Sequence, residues 1–289
     1  MKMDWKEIRD RLCDSGDKRV MIASHRGKFS SNVMENTSLA FHLALEEGAD
    51  MVEMDLAMTR DGKLAAHHDD TMERLFHVKG TIADYSLNEL KEMELYNYIG
   101  EVCEEKIESF EDILKELKGR TLLVLDKCWD CWDEVHRLLM EWDMVEQAVF
   151  KFYIEDDRAL SWAYRHPECM FIPMLKDTAD LERVFSLKSA SQLPALEILP
   201  KKISDAVFQK ETFDLLDKNH IKVWCNSLSL GKRLVYGAGH DDLKSLRYGG
   251  DAGWRHLIER GVGIIQTDWP YELKRYMERT GLGTGEPER

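Results

Sequence analysis

The stretch "VMIASHRGKFSSNVMENTSLAFHLALEEGADMVEMDLAMT", residues 20–59, decides the fold. In this stretch an apolar run stops at residues 25–27, His-Arg-Gly, a helical pattern follows, and a second apolar run carries Glu53 and Asp55. Residues two apart in a strand point to one side, so the two carboxylates share a face. The stretch therefore predicts a strand, a helix and a parallel strand, with acidic side chains on one face of the second strand.

The same alternation continues along the rest of the sequence. Eight short apolar runs precede helical patterns, at residues 20–24, 51–57, 122–126, 149–153, 170–175, 195–199, 221–225 and 263–267. Eight strands alternating with helices over about 250 residues predict an α/β fold, the (β/α)8 TIM barrel, and a doubly wound open sheet is the alternative. We expect a single domain over residues 1–289, with a flexible tail at residues 280–289.

One interval, between the second and third apolar runs, is far longer than a single helix needs. It begins with "GKLAAHHDD", residues 62–70, which is typical of a short arm lying beside the second strand. We expect the remainder of the interval, about residues 69–107, to form a small inserted segment after the second strand.

Composition argues against several classes of partner. The formal net charge of −14 disfavours non-specific binding to nucleic acid or to anionic membranes. No apolar run approaches the roughly 20 residues that span a bilayer, and the acidic N-terminus lacks the features of a signal peptide. The six cysteines give no disulfide framework, so we expect a cytoplasmic protein. The sequence gives no indication of the oligomeric state.

Polar residues end several of the predicted strands, and strands of a TIM barrel end at the face where active sites are built. Glu53 and Asp55 lie about 7 Å apart along their strand and repel each other unless a cation lies between them. A hard divalent ion, Mg²⁺ or Ca²⁺, suits such oxygen ligands. The alternative is an internal salt bridge with Arg26, Lys127 or Lys151.

A spaced pattern of residues extends from the end of the first strand to the arm. It comprises His25-Arg26-Gly27, Glu35-Asn36-Thr37, Ala40-Phe41, Gly48-Ala49-Asp50, Val52-Glu53, Asp55, Thr59, Asp61-Gly62 and His68-Asp69. This pattern resembles the signature of the glycerophosphodiester phosphodiesterase family, and weaker similarities at residues 106–114, 222–226 and 261–270 extend the resemblance over nearly the whole chain. The resemblance implies a TIM-barrel enzyme that hydrolyses glycerophosphodiesters, which are small molecules, to glycerol 3-phosphate and an alcohol with a divalent metal.

The resemblance also implies roles for individual residues. His25 and His68 would be the acid/base pair, and histidine suits proton transfer near neutral pH. Arg26 would hold the phosphate, whose charge increases during the reaction. Glu35 and Asn36 would support the site from the loop before the first barrel helix.

The metal ligands match the family pattern less completely. Glu53 and Asp55 would be two of them, but the family usually has Glu-x-Lys at the end of the third strand, whereas Asp126 and Lys127 are adjacent here. We favour Asp126 as the third ligand, because a buried aspartate at a strand end needs a partner. Lys127 would then face away unless the strand bulges, so the role of the family lysine falls to Lys127 through a bulge or to Lys151.

Several further candidates keep two interpretations. Lys151 either contacts the phosphate or pairs with Asp126 or Glu197. Glu197 either contacts substrate hydroxyls or anchors Lys151. Trp224, on the seventh predicted strand, either lines the pocket or belongs to the core. His67 precedes the second motif histidine and points the other way on an extended chain, so we expect a structural role.

Three hypotheses about function follow. The leading one is a metal-dependent phosphodiesterase that acts on glycerophosphodiesters by two-histidine acid/base catalysis. A phospholipid-cleaving relative that forms a cyclic phosphate shares this barrel, but such proteins are secreted and disulfide-bonded. A degenerate barrel that binds a phosphorylated ligand without turnover is supported only by the altered Asp126-Lys127 motif.

Overall fold

The computed structural model describes residues 4–231 and 233–285. Its nine strands within these residues are β1 Met21–Ser24, β2 Met51–Met58, β3 Leu64–Ala66, β4 Leu122–Asp126, β5 Ala148–Tyr153, β6 Met170–Leu175, β7 Ala195–Ile198, β8 Lys222–Asn226 and β9 Ile264–Thr267. All except β3 are parallel, and they close into a barrel because β1 pairs with both β2 and β9. The TIM-barrel prediction is confirmed, and the open-sheet alternative is wrong because the sheet has closed.

Most of the helices connect the strands on the outside of this barrel. In the described residues they are α1 Trp5–Cys13, α2 Ser38–Glu46, α3 Glu73–Phe76, α4 Leu87–Glu92, α5 Phe110–Leu117, α6 Trp132–Glu141, α7 Asp157–Arg165, α8 Leu181–Ala190, α9 Lys210–Lys218, α10 Asp242–Tyr248, α11 Trp254–Arg260 and α12 Pro270–Thr280. Local chemistry fixes where they begin. Thr37 caps α2 by accepting a hydrogen bond from the Ala40 N–H, and Ser109 and Asp112 form a capping box at the start of α5.

Alternate residues of each strand pack on opposite sides of the sheet. The inward-facing apolar residues form one cluster with Ile8 and Leu12 of α1: Met21, Ala23, Met51, Leu122, Val124, Val149, Met170, Ile172, Ala195, Trp224 and Ile264. Val52 and Met54 belong instead to the cluster between the strands and the outer helices. Glu53 and Asp55 therefore face the barrel interior. Because Met21 and Met51 begin their strands, α1 covers the amino-terminal end and leaves the carboxyl end for a site.

The segment between β3 and α5 has its own apolar cluster. Strand β3 pairs antiparallel with β2, with Leu56 opposite Ala66. The short helices α3 and α4 follow, and apolar residues of the segment pack with Met34 of the loop after β1 and Ala65 of β3: Met72, Phe76, Ile82, Leu90, Leu95, Cys103 and Ile107. Asn97 Nδ2 donates to Asn32 Oδ1 at 2.8 Å, which ties the segment to the loop after β1. The segment therefore lies beside the carboxyl end of the first strand.

The chain after α12 is described only as far as residue 285. Leu282 is buried, and the Val20 N–H donates to the Gly283 carbonyl at 2.7 Å, so this part of the chain packs beside the start of β1. The rest of the tail that was expected to be flexible, residues 286–289, lies outside the described residues. Among the helices of the described residues, none combines the length and the apolar character that crossing a membrane requires.

Candidate active site

A cavity of about 130 Å³ opens at the carboxyl end of the barrel. Nine of the site residues that the sequence predicts line it: His25, Arg26, Glu53, Asp55, His68, Asp126, Lys127, Lys151 and Glu197. A larger cavity, about 640 Å³, lies beside the strand starts and is lined by residues such as Val20, Val223 and Leu282. Three aspartates but no histidine line that larger cavity, so the combination of histidines and carboxylates selects the smaller one.

His25 extends β1 by one residue and is oriented by a carboxylate that follows the last strand. Its Nδ1 lies 2.8 Å from Oδ1 of Asp268, and an ionised carboxylate only accepts, so Nδ1 carries the proton and Nε2 is the reactive nitrogen. Burial lowers the pKa of His25, but the hydrogen bond to Asp268 and the charges of Asp268 and Glu53 outweigh burial and raise that pKa above its ordinary value. His25 is therefore suited to hold a proton.

The chain turns sharply after His25 because two successive residues have positive φ. Arg26 has φ 54° and Gly27 has φ 79°, and a Cβ on Gly27 would lie 2.7 Å from the backbone of Ala40. Only glycine fits this close approach between the loop and α2. The turn brings Arg26 back over the cavity, where its backbone N–H donates to Glu53 Oε2 at 2.9 Å.

The Arg26 guanidinium is held by two carboxylates. Its Nη1 donates to Glu35 Oε1 at 2.9 Å, and its Nε lies 3.4 Å from Asp55 Oδ2. Arg74 of α3 donates to both oxygens of Glu35, at 2.9 and 2.7 Å. Burial raises the pKa of Glu35, but Arg74 and Arg26 outweigh it and lower that pKa. Glu35 therefore does not line the cavity but fixes the arginine that does.

Asn36 supports Asp55 in the same way. Asn36 Nδ2 donates to Asp55 Oδ2 at 3.0 Å, and Asn36 Oδ1 accepts from the Asp55 N–H at 3.0 Å. The backbone of Asn36 has φ 58°, a conformation that asparagine tolerates better than most residues. This reciprocal pair holds the Asp55 side chain in one orientation at the cavity floor.

Glu53 and Asp55 are buried, like-charged and close together. Burial and the charge of Asp55 raise the pKa of Glu53 to about 8. Together with Asp126 these side chains offer only oxygen donors, which suits a hard divalent cation. Among the described residues, however, the carboxylates of Glu53, Asp55 and Asp126 do not converge within 4.8 Å of one another. The donor set fits Mg²⁺ or Ca²⁺ chemically, and the Asp126 carboxylate is turned to another partner.

That partner is Lys151. Asp126 Oδ2 lies 2.7 Å from Lys151 Nζ, which also lies 2.9 Å from Glu197 Oε2. Burial lowers the pKa of Lys151, but the charges of Asp126 and Glu197 raise it well above its ordinary value. Lys151 is therefore a buried ammonium that bridges two carboxylates beneath the cavity.

The neighbouring lysine reaches the cavity in a way that the sequence did not predict. Lys127 has φ 50°, so the chain turns left-handed at the end of β4 and Lys127 does not face outward. Its Nζ donates to the His68 carbonyl at 2.9 Å and lies 3.4 Å from Asp70 Oδ1. Of the two alternatives, Lys127 through a bulge or Lys151, the structure has Lys127 at the cavity, but by a positive φ after the strand, which brings adjacent Asp126 and Lys127 to one cavity.

Trp224 does not line the cavity. It is fully buried in the barrel interior, and its Nε1 donates to Asn226 Oδ1 at 2.9 Å. Asn226 Nδ2 in turn donates to Glu197 Oε1 at 2.8 Å. The pocket-lining interpretation of Trp224 is therefore wrong, because its side chain lies one layer below the mouth, and it supports Glu197 through Asn226.

The two adjacent histidines of the arm have different environments. His68 lines the cavity, and its Nδ1 lies 2.8 Å from Asp69 Oδ1. Burial is the main cause that lowers the pKa of His68 below its ordinary value. His67 is buried on the other side, with Nε2 3.3 Å from the Thr71 carbonyl and its ring 5.8 Å from that of Phe76. One histidine of the arm is thus available to the cavity.

Sequence reasoning missed several residues of the site. Asp268 directly follows the last strand, and a polar residue there is a signal, but its pairing with His25 depends on barrel closure. Arg74 holds both Glu35 and Asp69 from the inserted segment, and no sequence pattern marks it. Trp129 and Tyr153, whose rings lie 5.4 Å apart, form part of the aromatic rim of the cavity.

The sequence matches the model of the glycerophosphoryl diester phosphodiesterase family over residues 25–221. A second model, described as a domain of unknown function, matches residues 170–277. The first match includes both histidines and the carboxylates of β2 and β4.

Curated relatives have related descriptions. A glycerophosphodiester phosphodiesterase of Bacillus altitudinis is 32% identical over 146 residues, which cover 50% of this chain and 58% of the relative. One of Caldanaerobacter subterraneus is 35% identical over 107 residues, which cover 37% of this chain and 44% of the relative. The matched region thus spans about half the length of these curated relatives.

Solved structures share the fold over most of their length. A glycerophosphoryl diester phosphodiesterase from Parabacteroides distasonis superposes with a TM-score of 0.77 at 20% identity, covering 96% of this chain and 93% of that structure. An Oleispira antarctica phosphodiesterase, solved in complex with the product sn-glycerol-3-phosphate, gives a TM-score of 0.63 at 18% identity, covering 91% and 99%.

Proposed function

The chain belongs to the glycerophosphoryl diester phosphodiesterase family, and on that premise we propose that it hydrolyses glycerophosphodiesters to glycerol 3-phosphate and an alcohol. The observation that carries the proposal is the pair of histidines on one cavity. The pKa of His25 is raised and that of His68 is lowered, so the environments of the two histidines separate their pKa values. Such a separation is what an acid and a base need in order to act at the same pH.

We assign the proton transfers on that basis. His68, neutral near pH 7, takes a proton from the attacking oxygen at the ring nitrogen that does not face Asp69. His25 gives its Nε2 proton to the leaving alkoxide, while Asp268 keeps the ring oriented through Nδ1. Each transfer by a positioned group contributes about 10²- to 10⁴-fold to the rate.

The cationic side chains then stabilise the phosphoryl oxygens. Arg26 presents its guanidinium beside Asp55, held in place by Glu35. Lys127 reaches the same mouth beside His68 and is the stronger candidate for the family lysine, because Lys151 is already bound between two carboxylates. We propose Lys151, with Glu197, as the support of the cavity floor.

We further propose that Glu53, Asp55 and Asp126 hold one divalent ion, Mg²⁺ or Ca²⁺. A bound ion would neutralise the buried carboxylates and polarise the phosphoryl oxygens. The raised pKa of Glu53 supports this assignment, since a buried carboxylate pair without a cation is electrostatically costly.

We also propose that the chain forms a single domain with one inserted segment, that it is located in the cytoplasm and that its substrate is a small molecule.

The test is an assay of glycerol 3-phosphate release from glycerophosphocholine, glycerophosphoethanolamine and glycerophosphoinositol, with and without Mg²⁺ or Ca²⁺. The matched control is the His25→Ala/His68→Ala double variant, purified identically. Any release that this variant shows is due to contaminating enzymes. We expect metal-dependent release from at least one substrate with wild-type protein only. A cyclic phosphate in place of glycerol 3-phosphate, or binding without turnover, would contradict the proposal.

A further inference from the structure

A second cluster of metal-ligating side chains lies outside the active-site cavity. His136 belongs to α6, His166 follows the last residue of α7, and Glu168 lies in the turn before β6. His136 Nε2 and His166 Nδ1 each lie 3.1 Å from the same Glu168 oxygen, Oε1. Among the described residues, this is the one set of three histidine, cysteine, aspartate or glutamate side chains whose ligand atoms all lie within 4.8 Å of one another.

One atom of this cluster has no satisfactory partner among the described residues. His136 Nε2 is buried and makes no hydrogen bond, although it lies 3.1 Å from the Glu168 carboxylate. The His166 Nδ1 makes the hydrogen bond to that oxygen instead. A buried imidazole nitrogen without a hydrogen bond costs free energy, and a coordinated ion would remove that cost.

We infer that His136, His166 and Glu168 form a binding site for a borderline divalent transition metal, of which Zn²⁺ is the representative. Zinc takes imidazole nitrogen and carboxylate oxygen at roughly 2.0–2.2 Å, so neighbouring ligand atoms of a tetrahedral site lie about 3.3 Å apart. The observed separations of 3.1 Å are close to that value. Three protein ligands leave the fourth position to water.

The surroundings hold the ligands in place before an ion arrives. The Trp162 ring stacks on His166 at 4.2 Å and 27°, and it meets His136 edge-on at 5.9 Å and 82°. The centroids of the two imidazole rings lie 4.6 Å apart, and both rings reach the same Glu168 oxygen.

The donor set separates this site from the catalytic one. Imidazole nitrogen favours zinc, copper, nickel and cobalt, whereas the carboxylate-only set of the barrel mouth suits Mg²⁺ or Ca²⁺. An ion here would join α6 to the turn between α7 and β6. It would stabilise the fold on that flank of the barrel, because it binds the native state only.

The experiment uses the full chain without a histidine tag, freed of metal by chelation and returned to buffer. Zn²⁺ is titrated by calorimetry, and Co²⁺ by its visible absorption, which is strong only in tetrahedral sites. We expect one tight site per chain and a higher thermal midpoint with Zn²⁺. In His136→Gln and Glu168→Gln the affinity for Zn²⁺ should fall at least about 10- to 100-fold. Removing a residue that only hydrogen-bonds to a metal ligand already causes a loss of that size.

Three controls exclude other zinc sites. His256→Gln removes the other close histidine pair, in which the rings of His240 and His256 lie 4.4 Å apart. Cys131→Ser removes one thiol of the buried cysteine pair, and Glu53→Gln alters the barrel mouth. All three should keep the wild-type affinity. Unchanged zinc affinity in both His136→Gln and Glu168→Gln, or loss of the tight site in any control, overturns the inference.

Discussion

Oδ1 of Asp268 lies 2.8 Å from Nδ1 of His25, although 243 residues separate them in the sequence. The contact exists because β9 pairs with β1 and closes the barrel, which places the ends of the first and last strands side by side. Asp268 is itself fixed, since its N–H donates to Asp242 Oδ2 at 3.2 Å. The closure that completes the fold therefore also places the carboxylate that orients His25.

Replacing Asp268 by asparagine should change the pH dependence of the reaction. The carboxylate raises the pKa of His25, so its loss lowers that pKa. If His25 donates the proton, the alkaline limb of the kcat/KM profile moves to lower pH, and kcat falls by about 10- to 100-fold, part of the usual contribution of a positioned acid. Asp214→Asn, which removes an exposed aspartate paired with Lys210, is the control. A profile identical to wild type would exclude the charge of Asp268 from catalysis.

The stability of the metal-free protein should depend on Glu53. Its pKa rises from 4.5 to about 8 on folding, so between these pH values the folded state retains a proton that the unfolded state has released. Stability from this group is therefore fully present below pH 4.5 and is lost as the pH rises to 8. Glu53→Gln should lack that loss, and urea unfolding of both proteins at several pH values measures the difference.

Metal should reverse this trend in the wild type. An ion that binds only the folded state adds stability in proportion to the logarithm of its concentration above Kd. We expect added Mg²⁺ or Ca²⁺ to restore wild-type stability at alkaline pH and to have a smaller effect on Glu53→Gln. Parallel pH dependence of the two proteins, with and without metal, would argue against a buried carboxylate that needs a cation.

Replacing His67 or His68 singly by alanine should affect different properties, stability for His67 and kcat for His68. His68→Ala should lower kcat about 10²- to 10⁴-fold with little loss of stability, because His68 lines the cavity and is only partly buried. His67→Ala should lower stability and leave kcat within a few-fold of wild type, because His67 packs on Phe76. Initial rates and thermal midpoints of both variants give the comparison. An essential His67 beside a dispensable His68 would reverse the two assignments.

The barrel and most of its mouth could be predicted because short-range patterns encode them. The alternation around Glu53 and Asp55 assigns a face to each residue of β2. The sequence left two interpretations of Trp224 open, because the alternation of a strand predicts which way a side chain points but not how deep in the barrel it lies. It points inward, as Asn226 does, but lies one layer deeper in the barrel.

Long-range pairs and backbone turns could not be predicted in the same way. The contact between His25 and Asp268 depends on how many strands close the barrel. Arg74 reaches Glu35 from an inserted segment, and the periodicity of apolar residues does not predict the path of that segment. Lys127 adopts φ 50°, a conformation that its side chain does not favour, so only the folded barrel end reveals it.

The environment of Asp126 leads to the last prediction. Its carboxylate pairs with Lys151 while its Oδ1 accepts from the Lys127 N–H at 2.7 Å. Asp126→Ala should therefore have two effects: it leaves a buried lysine with Glu197 as its remaining carboxylate, which lowers stability, and it removes a candidate metal ligand. Lys151→Met is the matched variant, since it removes the same ion pair but keeps the candidate ligand.

A metal titration of activity after EDTA treatment separates these two roles. EDTA should abolish wild-type activity, and Mg²⁺ or Ca²⁺ should restore it. If Asp126 is the third ligand, Asp126→Ala needs more metal for half-maximal activity, and excess metal partly restores its rate. Lys151→Met should bind metal at least as well as wild type, because the Asp126 carboxylate is released from its ion pair with Lys151. Asp126→Glu should keep measurable metal-dependent activity, since Ca²⁺ in particular tolerates a change in ligand reach. If Asp126→Ala instead loses stability with an unchanged titration curve, the carboxylate serves only Lys151, and the ion is held by Glu53 and Asp55.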